Sequence, residues 1–366
     1  MLRFTRYFRT AALTLLLPTL VLPGLALAAS AEFGTAVEQQ TRAGWHQGIG
    51  RGYQALANDS ETLLQQAKAY CQQPSTEARS TIAHSTVARS TVESAWKQAF
   101  KAWQQVRFVD FGPVETNNRA WQLQFWPDPK NLIARKADLL LKDGTAVSAE
   151  TVGQAGVAVQ GFPMLEYLLS DTRFNTGDHA LPAETSCQIL IQVAAHVVDN
   201  SQQLVADWGE FKPHYLATGN YTHATIRAAM TALEVVEERR LATPMGLRGN
   251  GKRSVYAADA WRSGSSLASI GASVDGLQKY FLPGLEKLLN EQGESDLAQR
   301  INKQFGEVLE HFPAMDLALK PLLDDDNAYR SLQGLYVDVS QLTTLVNGEA
   351  ATRLGVIRGF NASDGD

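Results

Sequence analysis

Apolar residues recur at intervals of three and four along most of the chain. Val92, Trp96, Ala99, Trp103 and Val106 fall on one face of a helix. Ile189, Val193 and Val197, with Leu190 and Leu204 alongside, repeat the pattern, and Ile226, Met230 and Leu233 make another stripe. Two runs keep a strict alternation of three and four: Leu267, Ile270, Val274, Leu277, Phe281 and Leu332, Leu335, Val339, Leu342, Val346. Such heptad-like seams belong to helices that pack at shallow angles in a bundle. Gly264, Ala268, Gly271 and Ala272 lie among or just before the seam residues of the first run, and small residues there allow close helix approach. No run alternates with the period of a strand, and no Asn-Gly turn joins two such runs. The pattern predicts an all-α protein of about eight to ten helices.

Breaks in the pattern divide the chain. Gln73-Pro74-Ser75 ends a first helical arm and Phe111-Gly112-Pro113 a second. Asn117 to Pro129 is irregular and rich in aromatic residues, and Gly161-Phe162-Pro163 interrupts a helical pattern. Lys212-Pro213 to Asn220 reads as a loop, and Thr243-Pro244 to Lys252 as a longer, glycine-rich one. The simplest division is two helical bundles that meet near residue 210, an N-terminal half over 29–210 and a C-terminal half over 211–366, around an interdomain cleft.

Residues 1–28 stand apart from this pattern. Arg3, Arg6 and Arg9 precede the apolar stretch Ala11 to Leu25, and Ala26-Leu27-Ala28 is a small-x-small cleavage site. That is the arrangement of a secretory signal peptide. The apolar run is short for a membrane span and contains Pro18 and Pro23. No cysteine follows it to accept a lipid. The expectation is a periplasmic protein without a transmembrane segment once the leader is removed. Export bears on Cys71 and Cys187, the only two cysteines. An oxidising compartment lets them pair, and the bond would be worth about 4 kcal/mol in the chain-entropy account. Two separately buried thiols are the other reading.

Composition narrows the functional classes. Hydrophobic residues make up 45% and charged residues 19% of 366, which is ordinary for a globular chain and excludes a disordered one. The net charge of −5 leaves no basic footprint for nucleic acid. Without the three leader arginines it becomes −8, from 30 basic and 38 acidic residues.

Most local patterns have an ordinary structural explanation. Gly246 to Arg253 fits the glycine spacing of a phosphate-binding loop but lacks its final Ser or Thr and follows a helix. It reads as a connector or a lid. Glu307 with His311 and His196 with Asp199 share helix faces, but each offers two ligands where a catalytic zinc takes three. Asp324-Asp325-Asp326 reads as a helix start. Trp121 to Pro129 reads as an ordered aromatic plug in which Asp128 sits between two prolines. In Gly161-Phe162-Pro163-Met164-Leu165-Glu166, the proline suits a first helical turn. Glu166 would lie in that turn, where the helix dipole favours a carboxylate.

The stretch Gly161 to Leu169 resembles the Gly-x-His-x-x-Glu signature of the imelysin-like proteins, the peptidase M75 group. Asn118-Arg119 followed by Phe125-Trp126-Pro127-Asp128 resembles a second segment of one branch of that family. Trp261-Arg262-Ser263 resembles a third, and the ending Gly359 to Asp366 resembles the branch's terminal motif. The resemblance implies an all-α fold in two bundle-like halves. Position by position, the family's glycine falls on Gly161 and its glutamate on Glu166. Its histidine falls on Pro163, which cannot ligate a metal. The resemblance thus implies Glu166 as the remaining metal ligand, with a divalent metal or iron as the cofactor class. It implies a binding cleft of Gly161, Glu166, Arg119, Trp126, Asp128, Arg262, Ser263, Asn361, Asp364 and Asp366. Arg119 and Arg262 would pair with Glu166 or with an anionic ligand. The function implied is a binding or accessory protein of iron or metal uptake at the cell envelope, acting with an envelope partner or a small ligand. The competing classes are a metal-dependent peptidase with a degenerate site and a helical scaffold.

Overall fold

The computed structural model describes residues 34–72, 82–142, 146–314 and 318–357, and the leader and the terminal motif lie outside them. The helices of the first part are α1 (Ala36–Cys71), α2 (Ile82–Val106), α3 (Arg119–Leu123), α4 (Leu132–Lys142), α5 (Ala149–Gln154), α6 (Phe162–Ser170) and α7 (Glu184–Ala217). Then come α8 (Asn220–Glu234), α9 (Ser266–Gly276), α10 (Leu282–Glu291), α11 (Ser295–Ala314), α12 (Leu319–Asp324), α13 (Asp326–Thr343) and α14 (Ala351–Arg353). The described residues contain no strand, so the fold is all-α. Wider π-helical turns continue α8 over Val235–Ala242, α9 over Leu277–Phe281 and α13 over Thr344–Ala350.

The helices form where the periodicity predicts them, and the stripes face inward. All five residues of the Leu332 to Val346 seam are buried, as are those of the Leu267 to Phe281 seam and the Val92 to Val106 stripe. A capping box starts α1. Thr35 Oγ1 accepts from the Glu38 N–H at 3.1 Å, and Glu38 Oε2 accepts from the Thr35 N–H at 2.9 Å. This satisfies two otherwise unpaired amides of the first turn.

The helix α1 packs between α7 and α2, α2 against α9, α9 against α11, and α11 against α13. The helix α10 returns to lie on α1. At the α2–α9 crossing the backbones nearly touch, since a Cβ on Gly276 would fall 2.0 Å from the Gln105 carbonyl oxygen. Only glycine permits that approach. The buried apolar residues form one continuous cluster. Trp45 near its start stacks on Phe281 at 5.8 Å and donates its indole N–H to the Phe281 carbonyl at 2.8 Å. Cys71, the last residue of α1, is bonded to Cys187 in the first turn of α7, with the Cα atoms 5.6 Å apart.

One expected loop is instead helical. The helix α7 runs through Lys212 and Pro213 to Ala217. A proline in a helix interior costs about 3 kcal/mol. Trp208 and Tyr215 flank it and are fully buried on the α1 side, where His46 stacks on Trp208. Burying two large aromatic side chains outweighs the proline.

Candidate functional site

A cavity of about 730 Å³ opens among α6, the segment 124–131, the segment 256–262 and the π-helical turn after α8. Its size is that of a small-molecule site. Each wall has a local cause. Asp128 holds the first wall in place, because its two carboxylate oxygens accept from the Leu132 and Ile133 amides at 2.7 and 3.0 Å, at the start of α4. That satisfies two amides at a helix N-terminus. Trp126 lines the cavity beside it, with the Arg107 guanidinium 5.7 Å from its ring centre.

The second wall is α6, which Gly161 starts with φ near +79°. A Cβ there would lie 2.3 Å from the Gln122 and Leu123 carbonyl oxygens. The helix can therefore begin against that backbone only from a glycine. Pro163 stands in the first turn, where its missing N–H costs nothing. Glu166 is in the second turn rather than the first, because α6 begins at Phe162. The dipole at the helix start consequently has little hold on it. What holds it is Ser263, whose backbone N–H and hydroxyl both donate to Glu166 Oε1, at 2.8 and 2.9 Å. Glu166 is 4% exposed and lines the cavity. No described residue donates a hydrogen bond to its other oxygen, Oε2. Burial raises its pKa to about 7; the Ser263 hydrogen bonds and the Arg262 charge pull the other way, and Asp259 adds to the rise.

Arg262 lies over the rings of Trp261 and Tyr167, 4.3 and 5.0 Å from their centres. It is paired with Asp171 at 3.3 Å and donates to Asn131 Oδ1 at 3.1 Å. The cavity floor is a second polar network. Asp259, 3% exposed, is paired with Arg240 at 2.9 Å. It accepts from Ser269 and Gln124, each at 3.3 Å. Gln124 is held in turn by the Trp103 indole and the Gln104 amide. Arg107 approaches Asp259 to 4.0 Å, and burial together with the Arg240 charge lowers its pKa to about 10.

Of the expected cleft residues, Glu166, Trp126, Asp128 and Arg262 line one cavity, Ser263 holds Glu166, and Gly161 starts the helix that carries it. Arg119 does not line that cavity. It is buried elsewhere, paired with Asp207 at 2.7 Å and donating to the Pro113 carbonyl. Arg262 pairs with Asp171 rather than with Glu166. Asn361, Asp364 and Asp366 lie outside the described residues. Asp259, Asp171 and Asn131 also line the cavity and belong to none of the expected cleft motifs, although Asp259 stands two residues before Trp261-Arg262-Ser263. The other patterns resolve into structure. Arg248 and Arg253 of the glycine-rich loop are paired with Glu238 and Asp326. Glu307 pairs with Lys303 and His311 with Asp338, so they do not meet.

A metal at Glu166 finds too few donors among the described residues. No group of three His, Cys, Asp or Glu side chains converges there or elsewhere among them. Pro163 occupies the position of the expected second ligand, and Asp128 and Asp171 are committed to helix amides and to Arg262.

A family model described as Imelysin, of the peptidase M75 group, matches residues 49–346. No curated protein matches the chain. Among solved structures, an imelysin-like protein from Psychrobacter arcticum superposes with a TM-score of 0.73 at 19% identity, covering 90% of this chain and 99% of that one. A protein described as an iron-regulated protein A precursor from Parabacteroides distasonis superposes with a TM-score of 0.65 at 14% identity, covering 88% and 98%.

Proposed function

The chain belongs to the imelysin family, and on that premise we propose that it is an exported binding or accessory protein of the cell envelope, serving iron or metal uptake, with the cavity beside Glu166 as its ligand site. One observation carries the reading. The cavity gathers parts of three motif segments distant in sequence, and at it stands a buried carboxylate with one oxygen bonded by Ser263 and the other free of any described donor. A site of this kind binds. A hydrolase of the zinc type also needs a metal shell and an activated water, and the described donors fall short of that shell. A metal cargo would then arrive within a ligand rather than on a set of protein donors. Export is supported by the leader-like residues 1–28 and by the precursor named among the structural neighbours. No helix among the described residues is long and apolar enough to cross a membrane. The iron setting is supported by that neighbour's description.

Thermal unfolding of the purified mature protein with ferric and divalent ions, ferric chelates and small organic molecules tests the reading. Binding predicts a concentration-dependent rise in Tm that Glu166→Gln diminishes, with no turnover. Peptide hydrolysis abolished by a chelator would contradict it.

A further inference from the structure

The acids that line the cavity have partners, with one exception. Asp171 faces Arg262, Asp259 faces Arg240, and Asp128 is held by the amides of α4. Glu166 Oε2 has no such partner among the described residues. One cation lining the cavity is also unmatched. Arg239 is exposed and makes no ion pair or hydrogen bond with a described residue. Its exposure puts it at the mouth, whereas Glu166, 4% exposed, lies deep. Trp126, Trp261 and Tyr256 supply apolar walls. Tyr256, 70% exposed, meets Trp261 edge to face at 4.8 Å.

Building on the reading of this cavity as a ligand site, we propose that it takes a zwitterionic organic molecule with a flat apolar body, its ammonium against Glu166 Oε2 and its acidic group at Arg239. A charged donor such as an ammonium binds a carboxylate oxygen roughly twice as strongly as a neutral donor does. A flat body fills the space between aromatic walls with little loss of conformational freedom. A ligand carrying only a cation leaves Arg239 unmatched. A ligand carrying only an acid is repelled by the deep carboxylate if it enters acid-first. Arg107, the second guanidinium on Asp259, is held beside Trp126 and does not line the cavity, so it leaves the polarity of the site as described.

Isothermal calorimetry at about pH 8, above the pKa of Glu166, tests this with a matched set of indoles: tryptophan, tryptamine, indole-3-propionate and tryptophol. Tryptophan is expected to bind tightest and tryptamine next. The acid and the alcohol are expected to bind about tenfold more weakly than tryptophan or worse. Glu166→Gln is expected to weaken tryptophan and tryptamine roughly tenfold or more. Arg239→Gln, at an exposed position that poses no threat to folding, is expected to weaken tryptophan to the level of tryptamine and to leave tryptamine unweakened. The proposal is overturned if the acid binds as tightly as tryptophan, if either variant leaves tryptophan unchanged, or if none of the set binds. In that last case, a ferric chelate or other small molecule that raises the Tm of the wild type more than that of Glu166→Gln leaves the ligand-site reading standing. If nothing does so, both fall.

Discussion

Two carboxylates line the cavity at nearly the same depth, Asp259 at 3% exposure and Glu166 at 4%, and their surroundings differ. Asp259 meets a guanidinium at 2.9 Å and accepts from a serine and a glutamine besides. Among the described residues, Glu166 accepts hydrogen bonds only from Ser263, and only through one oxygen. A buried acid with a full set of partners serves the fold, since a charge removed from water must be matched there. A buried acid left half satisfied is costly to the fold, and groups of that kind concentrate where ligands are handled. The comparison separates a structural floor from the proposed ligand site within one cavity, and each part of it can be broken separately.

The largest effect is expected at the floor. Asp259→Ala leaves Arg240 buried without its counter-charge, and Arg107 beside it, and is expected to destabilise the protein by about 3–5 kcal/mol in denaturant unfolding. Glu166→Gln is expected to act in the opposite direction, and only at higher pH. The folded protein keeps the Glu166 proton up to about pH 7, whereas an unfolded chain releases it near 4.5. The folded state therefore binds more protons across that window. The stability linked to Glu166 is fully present below 4.5 and is lost as pH rises through 7. Relative to wild type, Glu166→Gln should gain on the order of 3 kcal/mol between those limits, read as the difference between two pH–stability curves. Asp110, whose pKa burial raises to about 6, is present in both proteins and cancels.

Ser263→Ala sharpens the contrast further. It removes the hydroxyl donor to Glu166 Oε1 and keeps the backbone one. The expected cost is about 1–2 kcal/mol above pH 7, with the Glu166 pKa pushed further up; the Ala260 carbonyl also lies within reach of the hydroxyl, at 3.1 Å, and a cost equally large in acid would mean that the single hydroxyl proton goes to it rather than to Glu166. The smallest effect belongs to Tyr256→Ala at the mouth, within about 0.5 kcal/mol in unfolding, with its loss felt in ligand affinity.

Much of this was legible in the sequence because it repeats. The Leu332 to Val346 seam is written every three or four residues, and a buried stripe has to be. Glu166, Trp126 and Arg262 sit in short motifs and line one cavity, and Gly161 starts the helix that carries Glu166. What was not legible depends on partners far away in the chain. Arg119 pairs with Asp207, and Asp171 takes Arg262 away from Glu166; nothing local to either arginine distinguishes these acids from any others. The segment around Pro213 is helical rather than a loop for a related reason, because the local rule for proline yields to the packing of Trp208 and Tyr215, which only the tertiary structure reveals. A helix start at Pro163 would put Glu166 at the edge of the first turn; the helix begins one residue earlier, at Phe162, and Glu166 falls beyond the reach of the dipole.

The central claim is that Glu166, unlike Asp259, is a buried carboxylate that forms no ion pair with a described residue. Its most direct test is an NMR titration of the Glu166 side-chain carboxyl carbon in glutamate-labelled protein, assigned by comparison with Glu166→Gln. The account predicts a midpoint near 7. A midpoint near 4.5, the ordinary value for a glutamate, would contradict it.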